Sequence, residues 1–235
     1  MTSRSTLDKV LADEALRQEE SPAVREKVYL AHAAVSLLPA RVARAITEYT
    51  ALATERGQFE FLHREVETET RALMAALLGA KPDEIAFVPS TSAGLSMVAA
   101  GLEWSEGDSV VVSDGDFPAN IYPWVALRRR GVEVKFIPRV PIGVITLADV
   151  DRPLDARTRL VSHSSVHFST GAPLDVDAVG AHLRDRGVLF CLDAIQSPDG
   201  IVVSLRENLD HKLCLRVSPH FYNTEGEIDA LLARL

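Results

Sequence analysis

Lysine is scarce in this sequence. The 235 residues contain 5 Lys and 20 Arg against 33 Asp+Glu, and the formal net charge is −8. Binding to nucleic acid or to an anionic membrane surface requires clustered basic side chains, and the densest run is Arg128-Arg129-Arg130, which we interpret as a solvated helix end. We therefore expect neither nucleic acid nor a membrane as a partner.

Long apolar runs and cysteines are also few. No stretch approaches the ~18 apolar residues of a membrane-spanning helix, and residues 1–10 lack the apolar core of a signal peptide, so we predict a cytoplasmic protein. Cys191 and Cys214 lie in apolar runs without metal-ligand spacing. We predict buried thiols rather than a disulfide, and no metal site.

Apolar periodicity predicts an α/β fold with a mostly parallel sheet and helices on both faces. Residues 21–58 are mostly helical in pattern, with an extended segment at 28–39, and a helix is predicted over 60–78. Strands and helices then alternate. The predicted strands are 85–88, 109–112, 132–137, 159–162 and 188–192, and the predicted helices are 92–102, 121–130 and 176–186.

The alternation stops after Gln196. Two strands at 201–205 and 213–217 precede a closing helix at 224–235, where Thr224 and Glu227 form a predicted capping box. We divide the chain into an N-terminal helix and entry segment (1–40), a large α/β domain (41–197) and a small α+β C-terminal unit (198–235).

Ligands of open α/β sheets bind beyond the carboxyl ends of the strands, and polar groups follow four predicted strands there. Thr91 and Ser92 open a helix whose amides and hydroxyls suit a phosphate, although a plain Ser/Thr helix cap explains them too. Phe117 follows the next strand and either stacks on a planar ligand or joins the core. His167, in a third turn, is interpreted as a surface or satisfied histidine rather than a catalyst.

Asp193 ends the fourth of these strands. A carboxylate buried at the end of an apolar strand is costly unless it has a cationic partner or several hydrogen-bond donors. The protonated ring nitrogen of a cofactor would meet that requirement.

These segments together resemble the class V aminotransferase-like enzymes of fold type I, which depend on pyridoxal 5′-phosphate (PLP) and include cysteine desulfurases and isopenicillin N epimerase-like proteins. The resemblance runs over residues 29–196 and 200–235. It implies a phosphate turn, an aromatic stacked on the pyridine ring, a carboxylate on the ring nitrogen and a side chain on the phenolic oxygen. The matching residues are Thr91 and Ser92, Phe117, Asp193 and Gln196, respectively.

The resemblance also implies an amino-acid substrate and a homodimer. Arg216 matches the arginine that binds the substrate's α-carboxylate, and His32 lies in the stretch that reaches toward the substrate. Desulfurases usually carry His at the position of Phe117, so this residue favours the epimerase-like branch. The mobile-loop cysteine of desulfurases has no counterpart after Arg206, so sulfur transfer is disfavoured.

The largest departure from the family is the Schiff-base lysine. Family members continue after the Asp-x-x-Gln turn with two strands and a Ser-x-His-Lys segment, whereas here Gln196 leads almost directly to the C-terminal strands. Lys212, after His211, is the one candidate by default, and we favour a surface lysine. The loss predicts non-covalent PLP binding and very slow or absent turnover in an internally shortened protein.

Two other interpretations stay open. The chain could be a non-catalytic remnant that acts as a binding or interaction protein, or a dinucleotide-binding enzyme, which is weaker because no G-x-G-x-x-G follows a strand. The shortening also removes the usual neighbour of the first strand. We predict that 85–88 pairs instead with 188–192 and so covers an open sheet edge.

Overall fold

The computed structural model describes residues 12–31, 35–61, 64–139, 144–195, 203–207, 213–217 and 226. These residues form two compact units. The N-terminal unit comprises the described residues of Met1–Arg25 and Leu37–Pro89, and the sheet unit comprises those of Glu26–Ser36 and Ser90–Leu235. The domain division that we predict at residues 40 and 197 stays a prediction.

The N-terminal unit is helical. Asp13 caps the first helix because its carboxylate accepts hydrogen bonds from the amides of Ala15 and Leu16. An ion pair at 2.7 Å joins Arg41 to the buried Glu20, and this contact with Arg41 lowers the pKa of Glu20. The helices are α1 Glu14–Glu20, α2 Ala40–Glu55, α3 Gln58–Phe61 and α4 Arg64–Leu78.

The strand predicted at 85–88 is wrong, and so is its pairing with 188–192. Residues 85–88 have no strand assignment and pair with no strand in the described chain. Arg71 of α4 donates a hydrogen bond to the carbonyl of Ile85, and its guanidinium lies 5.0 Å from the ring centroid of Phe87. The segment is therefore held by a helix side chain, and it lacks the neighbouring strand that would make it part of a sheet.

The sheet unit contains a parallel sheet with the strand order β2-β1-β3-β4. This confirms the predicted fold class, and four of the predicted strands agree with the observed ones to within one or two residues. The strands are β1 Ser109–Ser113, β2 Glu133–Ile137, β3 Thr158–Ser164 and β4 Leu189–Asp193.

Helices cover both faces of the sheet. The helix predicted at 121–130 is instead a short α-helix that continues as a 3-10 turn and ends at Gly131, whose φ of 77° suits glycine. A short helix after Thr146 was not predicted. The helices are α5 Thr91–Gly101, α6 Tyr122–Val125, α7 Leu147–Asp151 and α8 Val176–Asp185.

Successive residues of β1 enter two separate cores because side chains alternate along a strand. Val110 and Val112 pack with Trp124 on the face that α5 and α6 cover. Val111 packs with Val179 on the face that α7 and α8 cover. Burying each large side chain contributes roughly 1.5–3 kcal/mol, which explains why all five residues of β1 are apolar or small.

A separate antiparallel pair is formed by β5 Val203–Glu207 and β6 Leu213–Val217. The second matches its predicted bounds, and the first begins two residues later than predicted. The capping-box residues Thr224 and Glu227 lie outside the described residues. Within the part of the chain that the structure describes, no helix is long and apolar enough to cross a membrane.

Candidate functional site

Polar side chains gather at the carboxyl ends of β1, β3 and β4. Ser164 ends β3 and Asp193 ends β4, and the two residues are partners in the parallel register. Side chains in register on neighbouring strands point to the same face, so both lie on one side of the sheet. Asp116 and Asn120, in the turn after β1, bond to them there.

Asp193 is buried, with 6% of its surface exposed. Its Oδ1 accepts a hydrogen bond of 2.9 Å from the amide of Ile195, and its Oδ2 accepts one of 3.0 Å from Nδ2 of Asn120. No ion pair reaches it from any described residue. Among the described residues, Asp193 therefore has two neutral donors and no counter-charge, an arrangement that suits a cationic ligand atom.

Asp116 fixes the turn that carries Phe117. Its carboxylate accepts hydrogen bonds from the Phe117 amide at 2.6 Å, from the Ser164 amide at 3.1 Å and from the Ser164 hydroxyl at 3.0 Å. The Phe117 ring is 44% exposed and meets the edge of Phe168 at a centroid distance of 5.3 Å. Phe117 is thus a half-exposed aromatic residue on a turn that is hydrogen-bonded to Ser164, the register partner of Asp193.

The phosphate-type turn lies at the start of α5. Ser90, not Thr91 or Ser92, caps this helix, because its hydroxyl accepts a hydrogen bond from the Ala93 amide at 3.1 Å. The amides of Thr91 and Ser92 donate to no acceptor in the described chain. A plain serine cap, the alternative interpretation of this turn, is therefore present at Ser90, and it leaves the amides of Thr91 and Ser92 available. Helix α5 also contacts the 3-10 turn Pro118–Asn120 that follows Phe117.

His167 connects two turns at this edge. Its Nε2 lies 3.1 Å from the Gly115 carbonyl oxygen, and its Nδ1 accepts hydrogen bonds from the amides of Ser169 and Thr170. A neutral ring with a proton on Nε2 satisfies all of these contacts. The interpretation of His167 as a satisfied histidine is confirmed.

Cys191 lies two residues before Asp193 on the same strand and is a free thiol. Burial raises its pKa, and the carboxylate of Asp193 adds to this effect. A thiol that resists deprotonation is a poor nucleophile. Cys191 is partly buried, so it meets the prediction of a buried thiol only in part, and the side chain of Cys214 lies outside the described residues.

The described lysines do not reach Asp193. Lys135 on β2 forms an ion pair with Asp155, and Lys27 and Lys81 are exposed. The described residues contain no group of three or more His, Cys, Asp or Glu side chains that could hold a metal ion.

Several predicted site residues have no described side chain. His32, Gln196 and Lys212 lie outside the described residues, and only the backbone of Arg216, within β6, is described. Their roles stay predictions. Conversely, the motif around Phe117 contains Asp116 and Asn120, which sequence reasoning did not single out, because their partners Ser164 and Asp193 are 48 and 73 residues away.

The fold and these contacts define an α/β protein with a ligand-type cluster at the carboxyl ends of its parallel strands. The chain belongs to the class V aminotransferase family, whose model matches residues 28–208. The cofactor of this family is PLP, in agreement with the resemblance.

Similar proteins include cysteine desulfurases and uncharacterised aminotransferases. A probable cysteine desulfurase from Methanothermobacter thermautotrophicus is 34% identical over 194 residues, covering 80% of this chain and 48% of that protein. The apo cysteine desulfurase structure from Thermococcus onnurineus NA1 has 28% identity and a TM-score of 0.64, covering 75% of this chain and 46% of that one. The chain thus spans about half the length of these relatives.

A third similarity concerns the fold alone. A C-DES variant with glycine covalently linked to its PLP cofactor has 24% identity and a TM-score of 0.69, covering 77% of this chain and 50% of that one. The four-stranded parallel sheet with its helices is therefore the shared framework.

The donor set fits PLP. A protonated pyridine nitrogen complements the buried carboxylate of Asp193, which lacks a counter-charge among the described residues. The unused amides at the start of α5 suit a phosphate group, because the helix dipole and the N–H groups both favour an anion. The Phe117 ring provides an apolar surface for a planar heterocycle.

Proposed function

We propose that this chain is the PLP-binding portion of a class V aminotransferase-type protein that acts on an amino acid. The observation that carries the proposal is the buried Asp193 carboxylate at the end of β4, whose hydrogen-bond donors within the described chain are both neutral. When bound, PLP supplies an electron sink for bonds at the α-carbon of an amino acid.

The chain's own residues would hold the cofactor at four places. Thr91 and Ser92 would bind the phosphate through backbone amides and hydroxyl groups. Phe117 would contact one face of the ring, and Asp193 would accept a hydrogen bond from the protonated ring nitrogen. Gln196 would donate to the phenolic oxygen, as the family resemblance implies.

We propose further that PLP is held without a covalent link. No described lysine forms an ion pair with Asp193, and the sequence offers only Lys212 beside a histidine. In the family the lysine anchors PLP, exchanges with the substrate amine and moves the α-proton. Without it we expect very slow turnover, and the non-catalytic alternative differs from this proposal in predicting no PLP binding at all.

The substrate class follows from Arg216 and His32. A guanidinium binds a carboxylate with two parallel hydrogen bonds, which supports an α-amino acid as the substrate. The raised pKa of Cys191 and the absence of a cysteine from residues 207–210, where desulfurases carry their mobile-loop cysteine, argue against sulfur transfer. The remaining reactions are transamination, epimerisation and elimination, and Phe117 favours the epimerase-like branch.

Borohydride reduction tests this proposal. Purified protein is mixed with PLP, its visible spectrum is recorded, and it is reduced, digested and mapped by mass spectrometry. We expect saturable binding, competition by inorganic phosphate and no modified lysine above the level of a PLP-treated, denatured control. Stoichiometric modification of Lys212 would contradict non-covalent binding, and absence of saturable binding would favour the non-catalytic remnant.

A further inference from the structure

Asn120 is positioned by the same turn that carries Phe117. Its backbone N–H donates a hydrogen bond of 2.8 Å to the Phe117 carbonyl, and the residue is the last of the 3-10 turn Pro118–Asn120. Its side chain is 1% exposed and extends to β4, where Nδ2 lies 3.0 Å from Oδ2 of Asp193. One short turn thus places both a ring for stacking and a donor to the carboxylate.

In this hydrogen bond Asn120 is the donor and Asp193 the acceptor. An ionised carboxylate can only accept, so the amide nitrogen of Asn120 faces Asp193 and its Oδ1 faces away. That Oδ1 is buried and has no hydrogen-bond partner in the part of the chain that the structure describes. A buried acceptor without a donor lowers the stability of the fold. The orientation of Asn120 that lets Nδ2 donate to Asp193 therefore has a cost in folding free energy.

Because the side chain of Asn120 is uncharged, it does not neutralise the negative charge of Asp193. A lysine or arginine at this position would neutralise Asp193 and weaken its attraction for a cationic ligand atom. An amide orients the carboxylate and leaves its charge uncompensated. The Ile195 amide binds Oδ1 and Asn120 binds Oδ2, so the plane of the carboxylate is fixed from both sides.

We propose that Asn120 is a positioning residue, which holds the Asp193 carboxylate in the orientation that receives a protonated pyridine nitrogen. This inference rests on the proposed function, because it concerns PLP as the ligand. Asn120 acts through Asp193 and does not itself touch the ring.

The test compares PLP with its 1-deaza analogue, in which a C–H group replaces the ring nitrogen. Dissociation constants are measured by fluorescence titration for the unmodified chain and for Asn120→Ala. We expect the substitution to weaken PLP binding about tenfold, as expected for a lost hydrogen bond to a charged group, and to leave binding of the analogue within about twofold. Equal weakening for both ligands would overturn the proposal, because it would indicate a general structural defect.

A second variant keeps the shape of the side chain. At neutral pH, Asn120→Asp places a second carboxylate beside Asp193. At lower pH the introduced carboxyl group can be protonated, and its O–H can then replace the amide of Asn120 as the donor. We expect the ratio of its PLP dissociation constant to that of the unmodified chain to fall toward one as the pH decreases from 8 to 5.5. A ratio that does not change with pH would overturn the proposal, even if Asn120→Ala fails to fold.

Ser113→Ala is the matched control. Ser113 ends β1, is 1% exposed and has a hydroxyl without a partner, so this variant also removes a buried polar group from the strand ends. We expect its PLP affinity to match that of the unmodified chain. If the unmodified chain binds no PLP, both the proposed function and this inference fail, whereas normal PLP binding by Asn120→Ala overturns the inference alone.

Discussion

At the scale of single residues, the turn after β1 depends on one carboxylate. Asp116 is 4% exposed and accepts hydrogen bonds from the Phe117 amide and from both the amide and the hydroxyl of Ser164. These bonds connect the end of β1 to the end of β3. The position of Phe117 therefore depends on a residue that contacts no ligand in the proposed site.

Removal of that carboxylate should destabilise the protein. Asp116→Ala leaves three donors without their acceptor, and we expect the free energy of unfolding to fall by about 2–3 kcal/mol in urea titrations. Asp114→Ala is the control, because the neighbouring Asp114 is exposed and should cost less than about 0.5 kcal/mol. Similar losses for the two variants would contradict this role for Asp116.

The ring of Phe117 should affect the ligand more than the fold. With 44% of its surface exposed, Phe117→Ala should change thermal stability little but weaken PLP binding about threefold to tenfold, the range for a lost aromatic contact. Phe136→Ala on β2 is the control, because its side chain is 36% exposed and lies on another strand. If Phe136→Ala lowered PLP affinity as much as Phe117→Ala, the proposed stacking would be wrong.

At the scale of secondary-structure elements, local patterns predicted most strands and helices. Four strands of the parallel sheet are short apolar runs, and their bounds follow from composition and spacing. Residues 85–88 have the same pattern but form no strand, because strand formation also requires a neighbour. Likewise, the hydrogen bond between Asn120 and Asp193 spans 73 residues, and no local signal indicates it.

Arg71 should be the side chain that holds residues 85–88 in place. Its guanidinium bonds to the Ile85 carbonyl and to Glu67, and it stacks on Phe87. We expect Arg71→Ala to speed hydrogen exchange in 86–88 and to lower the free energy of unfolding by about 1–2 kcal/mol. Arg71→Lys keeps the positive charge but lacks the planar guanidinium group, so its exchange rate and its loss of stability should lie between those of Arg71→Ala and the unmodified chain. Unchanged exchange in Arg71→Ala would contradict this role.

The contact between β2 and the turn before β3 should depend on pH. The ion pair and hydrogen bond with Lys135 lower the pKa of Asp155 from 3.8 to about 2. A lowered pKa stabilises the fold above the unfolded-state value, so the contribution is present above pH 4 and is lost as the pH falls toward 2. Because Asp155 is half-exposed, we expect Asp155→Asn to cost at most about 1 kcal/mol at pH 7.

Thermal melts across the acid range can measure this effect. The difference in melting temperature between Asp155→Asn and the unmodified chain should shrink between pH 4 and pH 2. A difference that stays constant through this range would show that the ion pair contributes nothing to stability.

At the scale of the whole molecule, β4 forms an open edge of the parallel sheet in the described chain. Leu189 on this strand is 48% exposed. Unpaired strand edges with apolar side chains promote association between molecules. The homodimer implied by the family resemblance is a proposal of its own, and its interface need not involve this edge.

A charged side chain on the open edge strand β4 should reduce non-specific association between molecules. We expect Leu189→Lys to lower light scattering at high protein concentration without loss of helical signal in circular dichroism. Ala148→Lys makes the same change in net charge at an exposed position on α7 and serves as the control. If the two variants scatter equally, net charge rather than the open edge controls association.

The PLP affinity of Asp193→Asn tests the central claim most directly. The variant keeps the size of the side chain but removes the charge that would hold the pyridine nitrogen protonated. In equilibrium titrations we expect saturable PLP binding by the unmodified chain and a dissociation constant roughly 10–100 times higher for Asp193→Asn. Equal affinities for the two proteins, or no binding by the unmodified chain, would contradict the account.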